Sequence, residues 1–392
     1  MNFNFFLLFL IFISTGIKAF CETTELKIVT GAEQFEKYQP LIKDKKICLV
    51  VNNTSRIGDK HLVDFLLSQK IKIKSIYAPE HGFRGNIEAG EEINNVIDTE
   101  TGIPIISLYG KKKKPSDSEL KGIDAIIFDI QDVGCRFFTY ISTLHYVMEA
   151  CASNNILLII LDRPNPNGDY VDGPVLNKQL KSFIGTDPLP IVHGCTIGEL
   201  ALMINGEEWL EGKNKCPLEI ISCKNYTHSM IYAPPIKPSP NLPNITSIRL
   251  YPSLCLFEAT NISIGRGTEF PFQVVGYPNS SFGNFKFTPL PIMGVSNNPL
   301  HNGSLCYGVD LRNVETNQKF TLSYFINSFK KFTDKELFWN SKKWIDLLTG
   351  DPYFYYQINN GLNEDEIRKS WQSDLEKYKA TRSKYLLYPD FE

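Results

Sequence analysis

The chain has 392 residues, 43% hydrophobic and 21% charged, an ordinary globular profile with room for two or three domains. Its 41 basic and 43 acidic side chains leave a net charge of −2, so no general pull toward nucleic acid or an anionic membrane is built in. Nucleic-acid binding is thereby excluded unless a local basic patch supplies it.

In chain order, residues 1–20 read as a signal peptide. Residues 5–13 are continuously apolar, the length of a leader's apolar core and too short to span a bilayer. No Lys or Arg precedes the run. Cleavage after Ala19 or Phe20 predicts an exported protein, periplasmic or secreted. A lipid anchor at Cys21 is an open alternative, against which Lys18-Ala19-Phe20 makes a poor lipoprotein box. No later stretch reaches the apolar length of a membrane helix.

From residue 25 to about 205 strands alternate with helices. Residues 47–52 form a buried strand, followed by Asn52-Asn53-Thr54-Ser55 rather than Gly-x-Gly-x-x-Gly, so a dinucleotide fingerprint is missing where this fold needs one. Leu62, Phe65 and Leu66 give 61–69 a helical stripe, leading to a strand over 73–78. Strands follow at 103–108 and, after the solvated Lys111–Lys114 turn, at 125–130. Leu144, Val147, Met148 and Cys151 share one face of a helix over 141–154, and 157–161 is the next strand. Apolar strands separated by helices imply a parallel sheet covered on both faces, an α/β fold. Thr196 opens a further helix, with Glu199 in capping-box position. Five prolines between 233 and 243 make a stiff segment, either a linker or a cleft wall. Beyond about 270, strands at 270–277 and 319–324 and helices at 335–348 and 364–378 indicate a smaller α+β domain. The predicted division is 1–20 leader, 21–269 catalytic domain and 270–392 C-terminal domain.

Nine cysteines in an exported chain raise the question of disulfides. Cys48, Cys151 and Cys255 sit in apolar surroundings and read as small buried hydrophobes. Cys216 and Cys223 are close enough for a hairpin bridge, although a chain this long has core enough without staples. No Cys/His spacing matches a zinc site, and no metal or cofactor is expected.

Chemistry concentrates after the strands. Pro79-Glu80-His81-Gly82 follows one, Asp129-Ile130-Gln131-Asp132 a second, and Asp162-Arg163-Pro164-Asn165 a third. Ligands of open parallel sheets bind beyond the carboxyl ends of the strands. These strand ends are expected to aim carboxylates into one crevice, suited to acid/base work on an uncharged, hydroxyl-rich substrate. Phe83 would wall Glu80 and raise its pKa by desolvation; a solvated Glu80 paired with Arg84 fits the residues nearly as well. Asp129 or Asp132 serves chemistry, a salt bridge to Arg136, or a helix cap. Asp172 reaches the same rim or forms a turn. His193 precedes the Thr196 helix, whose N-terminus favours an anion, while His145 reads as a core-edge residue. No Gly-x-Ser-x-Gly elbow supports serine catalysis.

Taken together, YAPEHGFRG at 77–85, FDIQDVG at 128–134, RFFTY at 136–140, LDRPNP at 161–166, DGP at 172–174, His193-Gly194, SPNLP at 239–243, LYPSLC at 250–255, GRGT at 265–268 and KYLLY at 384–388 resemble the NamZ-type exo-β-N-acetylmuramidases. The resemblance implies a Rossmann-like domain without nucleotide, a smaller C-terminal domain and an active site in the cleft between them. It implies removal of terminal N-acetylmuramic acid from peptidoglycan-derived disaccharides and muropeptides. Glu80 is the catalytic residue carried over, and Asp162 is the choice for the second acid on strand-end position, with Asp129, Asp132 and Asp172 behind it. His81, Gln131, Arg136, Tyr140, Asn165, His193 and Asn241 join these aspartates as substrate contacts, and Arg84, Arg163 or Arg266 would meet the lactyl carboxylate. A non-catalytic wall-sugar binding module and a wall-peptide amidase are the alternatives.

Overall fold

The structure, a computed structural model, describes residues 26–83 and 96–392, so the leader, Cys21 and Arg84 lie outside the described residues. Seven strands build the main sheet: β1 Lys46–Val51, β2 Lys72–Ala78, β3 Val96–Ile97, β4 Pro104–Ser107, β5 Ala125–Asp129, β6 Leu157–Leu161 and β7 Leu218–Ile221. Their order is β3-β4-β2-β1-β5-β6-β7, and only β3 runs antiparallel to its neighbour. The six parallel strands thus follow the doubly wound order, whose direction of winding reverses between β1 and β5. Val50, Phe128 and Ile160 lie side by side across the sheet and enter one core cluster. Their chain neighbours Leu49, Ile127 and Ile159 enter another. Alternate residues face opposite sides of a strand, so these strands must be apolar throughout to be covered on both faces.

A second, antiparallel sheet holds β8 Val274–Tyr277, β9 Phe285–Phe287 and β10 Cys306–Asp310 in the order β8-β10-β9. The strand expected at 319–324 is absent. Thr321 and Glu364 instead accept the backbone N–H groups of Ser323 and Leu322, starting the helix Ser323–Lys330. The helix expected over 335–348 is split into a short turn, Glu336–Phe338, and a helix, Lys342–Thr349, which Ser341 caps. The last helix, Glu364–Arg382, returns to the first domain. Tyr378 donates to the His193 carbonyl at 2.7 Å, Arg382 Nη2 to the Gly194 carbonyl at 2.7 Å, and Tyr388 to Asp162 at 2.6 Å.

All eight described cysteines are buried free thiols. Cys216 and Cys223 flank opposite ends of β7. A strand rises roughly 3.3 Å per residue, which carries the two thiols well beyond bridging reach. No helix of the described residues is long and apolar enough to cross a membrane.

Candidate active site

A cleft of about 430 Å³ opens where the ends of β2 and β4 meet the C-terminal segments. After β2 the chain makes a tight turn in which the Gly82 N–H donates to the Pro79 carbonyl. His81 and Gly82 both take the left-handed conformation, with φ of 69° and 76°. This sharp reversal leaves Glu80 on the cleft wall. The Thr139 hydroxyl donates to Glu80 Oε2 at 2.5 Å, and Thr139 is the N-cap of the helix Tyr140–Asn154. His81 is buried, its Nε2 3.3 Å from Ser239 Oγ. Phe83 does not wall the cleft; it turns into the core and packs edge-on against His61 at 4.8 Å.

A second carboxylate stands on the same cleft. Glu258 follows the helix Ile245–Leu254 in a short turn, Cys255–Ala259, and accepts from Arg266 Nη2 at 2.6 Å. The Arg266 guanidinium lies 5.0 Å from the Phe272 ring centre, a cation–π contact. Tyr109, Phe138, Tyr251 and Trp344 supply aromatic wall. Asn241 also lines the cleft, its amide donating to the Val295 carbonyl at 2.9 Å.

Two family models match the chain, the N-terminal part of exo-β-N-acetylmuramidase NamZ over residues 47–246 and its C-terminal part over 249–388. The chain belongs to the NamZ family. It is 36% identical over 386 residues to the peptidoglycan β-N-acetylmuramidase NamZ of Bacillus subtilis strain 168, covering 92% of each. Among solved structures it resembles a DUF1343 family protein of Bacteroides fragilis NCTC 9343, with 46% identity, a TM-score of 0.86 and coverage of 93% of this chain and 100% of the other. A second DUF1343 family protein of that strain gives 29% identity, a TM-score of 0.79 and coverage of 92% and 99%.

In this NamZ family chain the residues expected in one crevice are divided. Glu80, His81, Asn241 and Arg266 line the cleft. Gln131 and Arg163 line another crevice, at the ends of β1, β5 and β6, where Asp129 takes Arg163 as a two-pronged ion pair. The proline-rich segment separates them: Pro234 and Pro235 wall the second crevice, Ser239 and Asn241 the first. It is a partition within the fold rather than a linker. Tyr140 is buried beneath it and donates to the Pro238 carbonyl at 3.2 Å.

Asp162 lines neither crevice. It is 1% exposed and accepts from Thr196 Oγ1 at 2.7 Å, the Gly198 N–H at 2.9 Å and the Tyr388 hydroxyl at 2.6 Å. The anion expected at the helix Ile197–Gly206 is therefore the protein's own carboxylate. Burial pushes its pKa up to about 6 against those hydrogen bonds. Glu199 completes the capping box and also accepts from the Leu387 N–H. Asp132 accepts from the Gly134 N–H at 2.6 Å, with His193 Nε2 3.5 Å away. Asn165 bonds the Cys195 carbonyl and the Asn167 N–H. Asp172 pairs with Arg368 at 2.7 Å. Arg136 ties together the carbonyls of Pro174, Leu189 and Leu348, and burial lowers its pKa to about 9. Most of their polar atoms are engaged within the fold, as buried polar groups require, while Asp132 Oδ1, Arg136 Nε and His193 Nε2 are buried without a hydrogen bond.

Glu258 escaped the sequence reading. The signal open to that reading was a lone acid between LYPSLC and GRGT, eight residues ahead of its arginine. Among the described residues no three His, Cys, Asp or Glu side chains stand where they could hold a metal ion.

Proposed function

We propose that the protein is an exo-acting glycoside hydrolase that removes N-acetylmuramic acid from the non-reducing end of peptidoglycan fragments. The observation that carries this reading is Glu80 and Glu258 on one aromatic-walled cleft in a NamZ family chain. Glycoside hydrolysis asks for two carboxyl groups flanking the scissile bond. Glu80, oriented by Thr139, is the general acid and passes its proton to the leaving glycosidic oxygen. Glu258, oriented by Arg266, takes the second role in place of Asp162, at the anomeric carbon. It activates water if the two carboxyl groups stand about 6.5–9.5 Å apart and attacks directly at about 5 Å. The remaining donors of Arg266 meet the lactyl carboxylate, and the aromatic rings pack on the sugar face. Export by the leader brings the protein to wall fragments.

The test is mass spectrometry of a muramic-acid-terminated disaccharide digested by the purified chain. Free N-acetylmuramic acid is expected, and Glu80→Gln is expected to slow its release about 10²–10⁴-fold. Wild-type turnover by Glu80→Gln overturns the assignment, and release of peptide rather than sugar points to an amidase.

A further inference from the structure

The second crevice, about 570 Å³, lies where the winding of the sheet reverses, the place at which doubly wound folds bind ligands. In nucleotide-binding members of that architecture a glycine-rich turn presents free N–H groups to phosphate. Here the turn after β1 consumes its own donors. The Asn52 N–H donates to Ser55 Oγ at 3.0 Å, the Thr54 N–H to Asn52 Oδ1 at 2.9 Å, and the Ser55 N–H to the Asn52 carbonyl at 3.1 Å. The charges cancel as well. The cations Lys27, Arg56 and Arg163 stand against the carboxylates Glu33, Asp59 and Asp129. A phosphate therefore finds no free turn donor of the kind a glycine-rich loop supplies, and no net positive field.

What remains is polar and uncharged in balance. Gln131 is 2% and Arg163 7% exposed, and both line the crevice. The Gln131 amide nitrogen is spent on the carbonyls of Asp132 and Pro164, which leaves its oxygen as an acceptor. Arg163 spends Nε and Nη2 on Asp129 and the Arg56 carbonyl, which leaves Nη1 as a donor. Tyr232, Pro234, Pro235 and Ile236 line the same crevice and give it apolar surface. Apolar surface beside a fixed donor and acceptor matches a pyranose ring, whose one face is C–H and whose rim is hydroxyl.

We propose that this crevice is a second carbohydrate site that binds an uncharged sugar ring of a glycan, stacked on Tyr232 and held by Arg163 and Gln131. The proposal goes beyond the hydrolase reading and does not rest on it.

The test follows hydrogen exchange of the full chain with N,N′-diacetylchitobiose, a neutral disaccharide, and with NAD as the nucleotide arm. The disaccharide is expected to protect peptides over 52–59 and 231–236, and NAD to protect neither. Tyr232→Ala is expected to weaken that protection about tenfold, the loss of one ring contact, while Tyr232→Phe retains it. Unchanged melting temperatures show that both variants fold. Protection confined to the first cleft, no saturable protection, equal protection in Tyr232→Ala, or protection by NAD instead overturns the proposal. Muramic acid release, assayed in parallel, separates the two readings. Turnover without crevice protection sinks the second site alone, and protection without turnover sinks the hydrolase alone.

Discussion

Thr139 helps to orient the Glu80 carboxyl, because its hydroxyl holds one of the two oxygens. Removing one hydrogen bond between neutral groups costs about 0.5–1.5 kcal/mol, roughly two- to tenfold in rate. Thr139→Val is therefore expected to lower kcat by about that factor, with KM and melting temperature little changed; steady-state kinetics beside a thermal melt checks it. Glu258→Gln is expected to remove turnover to a similar or greater degree, whereas Asp162→Asn is expected to act on stability, seen as a lower melting temperature with kcat preserved in the folded fraction. Glu80 was legible because it follows a strand and heads a loop with glycines. Glu258 was not, because its position depends on a turn after a helix and on an arginine eight residues on that folds back to it. Asp162 was misleading for a physical reason: a strand-end carboxylate satisfies a helix N-terminus as readily as a substrate.

At the level of elements, the cleft wall hangs on two anchors. One is the segment 182–187, which carries Phe183 to the cleft. Its Asp187 meets His145 Nδ1 at 3.0 Å, while Glu149 meets Nε2 at 3.2 Å. Burial works against a charged imidazole, but the two carboxylates outweigh it and raise the His145 pKa to about 9. A histidine whose pKa is raised on folding stabilises fully below its unfolded value of about 6.5. That contribution is then lost as pH climbs through about 9, a swing of about 3 kcal/mol. Denaturant titrations from pH 6 to 10 are expected to show the decline in wild type and a much flatter profile in His145→Gln. The other anchor is Tyr140 beneath the proline partition. Tyr140→Phe is expected to cost about 1 kcal/mol of stability and to raise KM by loosening Ser239 and Asn241. The main strands were legible because double-sided burial leaves an unmistakably apolar run. The C-terminal elements were not. Residues 319–324 have the composition of a strand, but Glu364, more than forty positions away, supplies a side-chain cap that turns them into a helix start.

For the whole molecule, the last helix and the tail after it make the two sheets one unit. Tyr378, Arg382 and Tyr388 fasten to His193, Gly194 and Asp162, all at the rim of the first sheet. A chain cut after residue 362 is expected to lose the single cooperative melt of the full chain and to unfold at lower temperature, as calorimetry would show. The doubly wound order was readable from alternating patterns, but the separation of strand-end residues into two crevices was not. It arises from the proline partition, whose course is set by contacts with Tyr140 and the 292–296 turn rather than by any local pattern. The thiols carry one more consequence. Eight cysteines are shut inside the fold, and burial pushes those of Cys135, Cys151 and Cys255 well above the usual thiol range. Only the thiolate reacts readily, so an alkylating dye is silent toward these eight thiols in the native state. These thiols are thus a built-in gauge of opening: each molecule that unfolds announces itself by taking up label at them, and mild reductant leaves the melting point where it was.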